Sequence, residues 1–195
     1  MHARTVGDQT LSFIVSGKLW RNSLVMMDRE TSSLWSHITG KCLDGELAGS
    51  RLDQLPSVQT SWKLWQSAHP ETRVLKKSEE ITSSKYQKYF DNPEMIGILP
   101  MTWQQDRLPG KTLIHGLLVN DSALAILDDS VNSDSPLEVD LNGLTVAVHR
   151  DKDGGVRAVR PDTGEKLLIR LAYWFAWSAY FPETGIYPAP AFQED

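Results

Sequence analysis

Residues 62–75 read WKLWQSAHPETRVL, and residues 174–187 read WFAWSAYFPETGIY. Both fit Trp-x2-Trp-x4-Pro-Glu-Thr-x followed by two apolar residues. Trp62 and Trp65 correspond to Trp174 and Trp177, and Pro70-Glu71-Thr72 to Pro182-Glu183-Thr184. Identities in fixed register that include two pairs of tryptophans point to an internal duplication. Trp62, Trp65 and Ala68 share one side of a helical period. Pro70 cannot sit inside a helix and biases His69 away from helical backbone, so the helix should stop near Ala68. Arg73-Val74-Leu75 then starts a strand. The second copy is apolar from Leu171 to Phe181, which reads as a helix buried on most faces. Core packing is the expected role of all these tryptophans.

The chain has 195 residues, 41% hydrophobic and 23% charged, as in ordinary soluble globular proteins. Its net charge of −5 argues against a nucleic-acid partner, which needs a concentrated basic face. One cysteine excludes an internal disulfide. No apolar run is long enough to span a bilayer as a helix, and none follows Met1 as a signal peptide would. The sequence alone reads as soluble and cytoplasmic, with an extracytoplasmic place expected if a targeting segment lies upstream.

In chain order, Leu11–Ser16 and Ser23–Met27 read as a hairpin turning at Gly17-Lys18, with the dense polar stretch Asp28-Arg29-Glu30-Thr31 after it. Residues 36–56 carry Gly40, Gly45 and Gly49 and read as loops with short strands. Ser57 or Thr60 is expected to cap the Trp62 helix. Residues 76–94 read as a polar connector with one helical turn at Tyr86–Phe90. Strands are expected at Met95–Pro100, Lys111–Val119 and Ala123–Leu127, then a loop at 128–136. Leu144–His149 and Val156–Arg160 flank a turn at Asp153-Gly154-Gly155. Lys166–Ile169 leads to the second Trp unit, and 188–195 is a loose tail.

The expected fold is therefore a β-rich α+β single domain of two related halves, each ending in a Trp-bearing helix followed by a strand. Pseudo-repeat 1 covers about residues 4–75, the connector 76–110 and pseudo-repeat 2 about 111–187. Laying Arg4-x6-Leu11 over Arg160-x6-Leu167 assigns residues 16–60 to an insertion; Leu11 over Leu144 is the competing register. In the first register, strands over 113–159 precede Arg160 while nothing precedes Arg4, so the first copy reads as truncated at its front.

The chain resembles a bacterial and archaeal family known as domain of unknown function 3179. The matching residues are Val15-Ser16-Gly17, Asn22, Leu24-Val25-Met26, Asp28-Arg29-Glu30-Thr31, Ser33-Leu34-Trp35, Gly40, Gly45, Ala48-Gly49, Pro56, Trp62 and His69-Pro70-Glu71-Thr72, with Trp174-Phe-Ala-Trp177 and Pro182-Glu-Thr. The similarity covers residues 4–187. Family members carry a Cys-Pro-x-Cys-type motif upstream, in some with a selenocysteine-like second position. The resemblance thus implies thiol or selenol redox chemistry, with the motif ahead of this chain's Met1. It implies Arg29 as the group that lowers a nucleophile's pKa or binds an anion. Asp28 or Glu30 would orient Arg29, and His69 would act as acid or base. Trp35, Ser16 and Gly17 would line the pocket. The partner would be a small molecule or a thiol protein. No cofactor is expected in this chain, whose truncated form would be inactive.

The alternative is a non-enzymatic module that binds a small ligand or partner through the 28–35 loop. Cys42 reads as a buried small hydrophobe. His37, Cys42, His69, His115 and His149 lack any metal-ligand spacing. Asp151-x-Asp153-Gly154 starts like a calcium loop, but its glycine comes too early.

Overall fold

The computed structural model describes residues 1–75, 86–97 and 105–189. These divide into two compact units, one of residues 1–57 and one from residue 58 onward. The architecture is β-rich with short helices, as the alternating apolar runs require.

The first unit begins with a small hairpin of β1 (Thr5–Val6) and β2 (Gln9–Thr10). A four-stranded antiparallel meander follows: β3 (Phe13–Trp20), β4 (Ser23–Asp28), β5 (Leu34–Ser36) and β6 (Cys42–Asp44). The turn expected at Gly17-Lys18 is instead a bulge within β3, between Val15 and Leu19. Ser16 Oγ donates to Val25 O at 2.5 Å and accepts from Lys18 N, while Gly17 takes a positive φ of 77° that only glycine adopts freely. The chain reverses later, at Arg21-Asn22, where both residues have positive φ as a tight hairpin turn demands. Leu11, Trp35, Cys42 and Leu52 form this unit's core.

The second unit opens with helix α1 (Trp62–Ala68), and α2 (Gln87–Asp91) provides the helical turn expected there. Ser61, rather than Ser57 or Thr60, caps α1 by accepting from Leu64 N. Two four-stranded sheets follow. The hairpin of β7 (Leu113–Val119) and β8 (Ser122–Leu127) belongs to one; β9 (Leu137–Leu141), β10 (Leu144–Arg150), β11 (Val156–Val159) and β12 (Lys166–Leu167) form the other. Then come β13 (Ile169–Tyr173), α3 (Trp174–Tyr180) and β14 (Gly185–Tyr187). The first sheet has the order β13-β7-β8-β14, with β14 parallel to β8 and the other pairs antiparallel.

The period-2 alternation of β7 and β8 explains the layering. Leu117, Val119 and Ile126 join Val139, Val146, Val148 and Val156 in a core shared by both sheets. Ile114 and Ala125 face the other way and pack with Trp174 and Trp177. The apolar run from Leu171 therefore splits: Ile169–Tyr173 is a strand, and only Trp174–Tyr180 is helix. A run buried on all sides does not distinguish the two by period.

The two Trp units share one local geometry. His69 N donates to Trp65 O, and Phe181 N to Trp177 O. Trp65 Nε1 donates to Thr72 Oγ1 at 2.9 Å, and Trp177 Nε1 to Thr184 Oγ1 at 3.0 Å. The ring of His69 stacks on Trp65 with centroids 4.1 Å apart, as Phe181 stacks on Trp177 at 4.2 Å. Their surroundings differ. Trp174 is fully buried and Trp62 is 48% exposed. Residues 73–75, expected as a strand, form none, because no neighbouring strand pairs with them among the described residues; Val74 and Leu75 are 68% and 89% exposed.

The unit boundary at 57/58 has a local cause. Val58 and Leu64 press on Gly155 and Gly154, and Thr60 Oγ1 donates to Asp153 O at 2.5 Å. These contacts tie α1 to the β10–β11 turn, so the first Trp unit belongs with the second half. The expected strand at 95–100 is not formed over 95–97; residues 98–100, the first part of the connector (76–85) and the tail from 190 lie outside the described residues.

Gly116 of β7 is a stringent position. A Cβ there would run into the six-membered ring of Trp177. Gly116→Val is expected to lower the unfolding free energy by about 1–3 kcal/mol through overpacking, read as a shifted urea midpoint.

Candidate functional site

Asp28 ends β4 on the face that carries Met26, opposite Trp35 and Cys42, so the pleat turns its carboxylate into the core. It is fully buried. Trp35 Nε1 donates to Oδ2 at 2.7 Å, and Thr31 N and Thr31 Oγ1 donate to Oδ1 at 2.6 and 2.9 Å. The network continues from Thr31 Oγ1 to Ser33 Oγ at 2.6 Å, and Ser33 Oγ accepts from Leu47 N. Gly45 is required beside it, since a Cβ there would strike Ser33. Burial pushes the Asp28 pKa up, but the bonds from Trp35, Thr31 and Ser33 outweigh it and leave the carboxyl below its ordinary range.

These contacts define a buried structural carboxylate rather than one that orients Arg29. Arg29 and Glu30 project outward. Arg29 N donates to Ser12 O, and its guanidinium pairs with no carboxylate among the described residues. Glu30 Oε2 accepts from Ser12 N at 2.9 Å, the main cause of its lowered pKa. Trp35 walls no open pocket: it is fully buried and meets Phe13 edge-on with centroids 5.8 Å apart. Ser16 and Gly17 form the β3 bulge. Cys42 is buried, its Sγ donates to Asp44 O, and burial pushes the thiol pKa up, as suits a packing residue.

His69 belongs to the second unit, on Trp65, close enough to Asp153 to stabilise its carboxylate electrostatically. Asp153 is held at about 2, chiefly by its bond from Arg157, which also pairs with Asp151 at 2.6 Å. His149 Nε2 lies 3.2 Å from Asp151. The stretch that begins like a calcium loop is thus an arginine-neutralised turn.

Sequence reasoning missed a further cluster. His115, buried on β7, sets Nε2 2.6 Å from Asp128 Oδ1, which also accepts from Arg150 at 2.7 Å. Burial lowers the His115 pKa; for Asp128 the bonds from Arg150 and His115 overcome burial and keep the carboxyl low. The three residues lie on separate elements and carry no shared local signal. Among the described residues, no group of three or more His, Cys, Asp or Glu is placed to hold a metal ion, and no helix is long and apolar enough to cross a membrane.

The meanders, the buried Asp28 network and the two Trp units define a β-rich protein class. The chain belongs to the family described as Protein of unknown function (DUF3179), whose model matches residues 1–184. No curated protein and no solved structure matches it.

The Asp28 network yields a stability test. Asp28→Asn is expected to cost about 1–3 kcal/mol, since its amide nitrogen cannot accept from one of the donors. The sign with pH follows from the lowered pKa. The carboxylate's contribution is present above its unfolded value, about 3.9, and is lost as pH falls through the lower folded value. Urea titrations from pH 7 down to pH 3 should show the mutant's deficit shrinking at the acid end.

Proposed function

We propose that this chain is a non-enzymatic partner-binding module built on a duplicated scaffold, with the binding face at the first Trp unit. One observation carries this reading. α1 and α3 have the same turn, C-terminal capping bond and ring stack, yet α3 is covered by a sheet, while Trp62 of α1 and Val74 and Leu75 beyond its turn are exposed. We read these exposed apolar side chains on either side of one Pro-Glu-Thr turn as an interaction site. The 28–35 loop serves the module less well, because Asp28 and Trp35 are spent inside the core.

A second similarity supports the duplication. Gly40 N donates to Ser36 O and Ser36 N to Lys41 O; Gly164 N donates to Arg160 O and Arg160 N to Glu165 O. The two Thr-Gly turns share a φ of 71° at glycine. Matching them aligns the meander β3–β6 with β9–β12. It sets Ser36, not Arg4, against Arg160, and residues 16–60 then hold the repeat's own strands instead of an insertion.

Thiol or selenol redox chemistry is the second reading, favoured by Arg29, an exposed cation suited to a thiolate or an anionic substrate. Cys42 does not serve it. In a version of the protein carrying the family's Cys-Pro-x-Cys motif, Arg29→Ala is expected to slow labelling by thiol probes; an unchanged rate removes Arg29 from the mechanism.

The binding-face reading is tested with an environment-sensitive apolar dye. The native chain should bind it with enhanced emission, and the double change Trp62→Ser, Leu75→Ser should remove most of that emission without shifting the melting temperature. No dye binding by the folded native chain would refute an exposed apolar face.

A further inference from the structure

The second Trp unit shows what covers such a face. There, β8 pairs in parallel with β14 through Gly185↔Leu124, Ile186↔Ala125 and Tyr187↔Ile126. The neighbouring strand β7 passes under Trp177, which lies on the bare backbone of Gly116. Ahead of the hairpin, Arg107 donates to the carbonyls of Pro182 at 2.8 Å and Thr184 at 2.9 Å, with its guanidinium 5.1 Å from the Trp174 ring centroid. The hairpin thus supplies a paired strand and a glycine under the inner tryptophan, and the segment ahead of it a cation for the turn.

The first Trp unit offers the matching half of each contact. Residues 73–75, the positional equivalents of β14, pair with no strand among the described residues. Trp65 holds the Trp177 position, its ring fixed by Thr72 and His69. The carbonyls of Pro70 and Thr72 accept no hydrogen bond among the described residues. Trp62 presents an exposed ring where Trp174 meets Arg107.

We infer that this face receives a β-hairpin from a partner polypeptide: one strand adds in parallel to residues 73–75, the other passes a glycine beneath Trp65, and a preceding arginine or lysine caps the Pro70 and Thr72 carbonyls. The inference rests on the binding-face reading above and names its partner class. Strand addition gives affinity through the main chain, and specificity comes from the glycine and the cation. Trp65 cannot lie flat on a strand with a larger residue at that position, for the reason Gly116 cannot change. The face therefore discriminates against ordinary β-hairpins.

The chain's own residues 105–127, as a synthetic peptide, provide a probe with every required feature: Arg107, Gly116 and both strands. Added to the intact 195-residue chain, it is expected to slow amide exchange of residues 73–75 and to displace the apolar dye. The peptide with Gly116→Val should bind about tenfold more weakly or worse. In the chain, Val74→Pro should abolish the protection while leaving the melting temperature unchanged, because residue 74 is exposed and its backbone pairs with no strand among the described residues. Equal binding of both peptides, or binding without protection of 73–75, overturns the inference. So does a chain that dimerises through this face and resists the peptide. Dye binding without peptide binding sinks the hairpin alone; the absence of dye binding sinks the face itself.

Discussion

The indole of Trp177 is held at both ends. Its N–H is anchored on Thr184 Oγ1, and its six-membered ring lies on the backbone of Gly116. The first contact closes the Pro-Glu-Thr turn onto the helix, and the second seats the helix on the sheet. A seven-residue helix has little stability of its own, so α3 exists because this ring joins turn, helix and strand. Sheet order follows, since the closed turn sends the chain back as β14 beside β8. α1 repeats the first contact, from Trp65 to Thr72.

Much of the architecture was legible where backbone chemistry is local. Pro70 and Pro182 mark helix ends, and the observed ends at Ala68 and Tyr180 agree. Asn120-Asp121 and Gly154-Gly155 mark turns. What escaped depended on partners far away in sequence. Ile169–Tyr173 is apolar enough for either structure and became a strand because β7 lies beside it. Leu137–Leu141 alternates correctly but follows an acidic, serine-rich loop that masks its start. Residues 73–75 have strand composition and pair with no strand among the described residues.

The candidate site was legible as a cluster but not as a role. Asp28-Arg29-Glu30-Thr31 is a charged stretch beside an apolar strand, and such stretches justify attention because buried charge is costly. The pleat decides the outcome. Asp28 points inward and is satisfied by Trp35 and Thr31, while Arg29 and Glu30 point out. Sequence spacing cannot show which member of a charged run is the structural one until strand register is known. The His115–Asp128–Arg150 cluster was invisible for a related reason: it is assembled by packing between sheets, not by any motif.

The bond from Thr60 to the Asp153 carbonyl also orders events in time. The two residues stand 93 positions apart, and α1 relies on that distant turn for its packing through Leu64 and Gly154. On the ribosome, at about 5–20 residues per second, the segment carrying α1 emerges roughly 5–20 s before the turn that supports it. During that interval Trp62, Leu64 and Trp65 belong to an unsupported chain. The first half's meander can close on its own contacts, whereas its tryptophan helix must wait for the second half to be made.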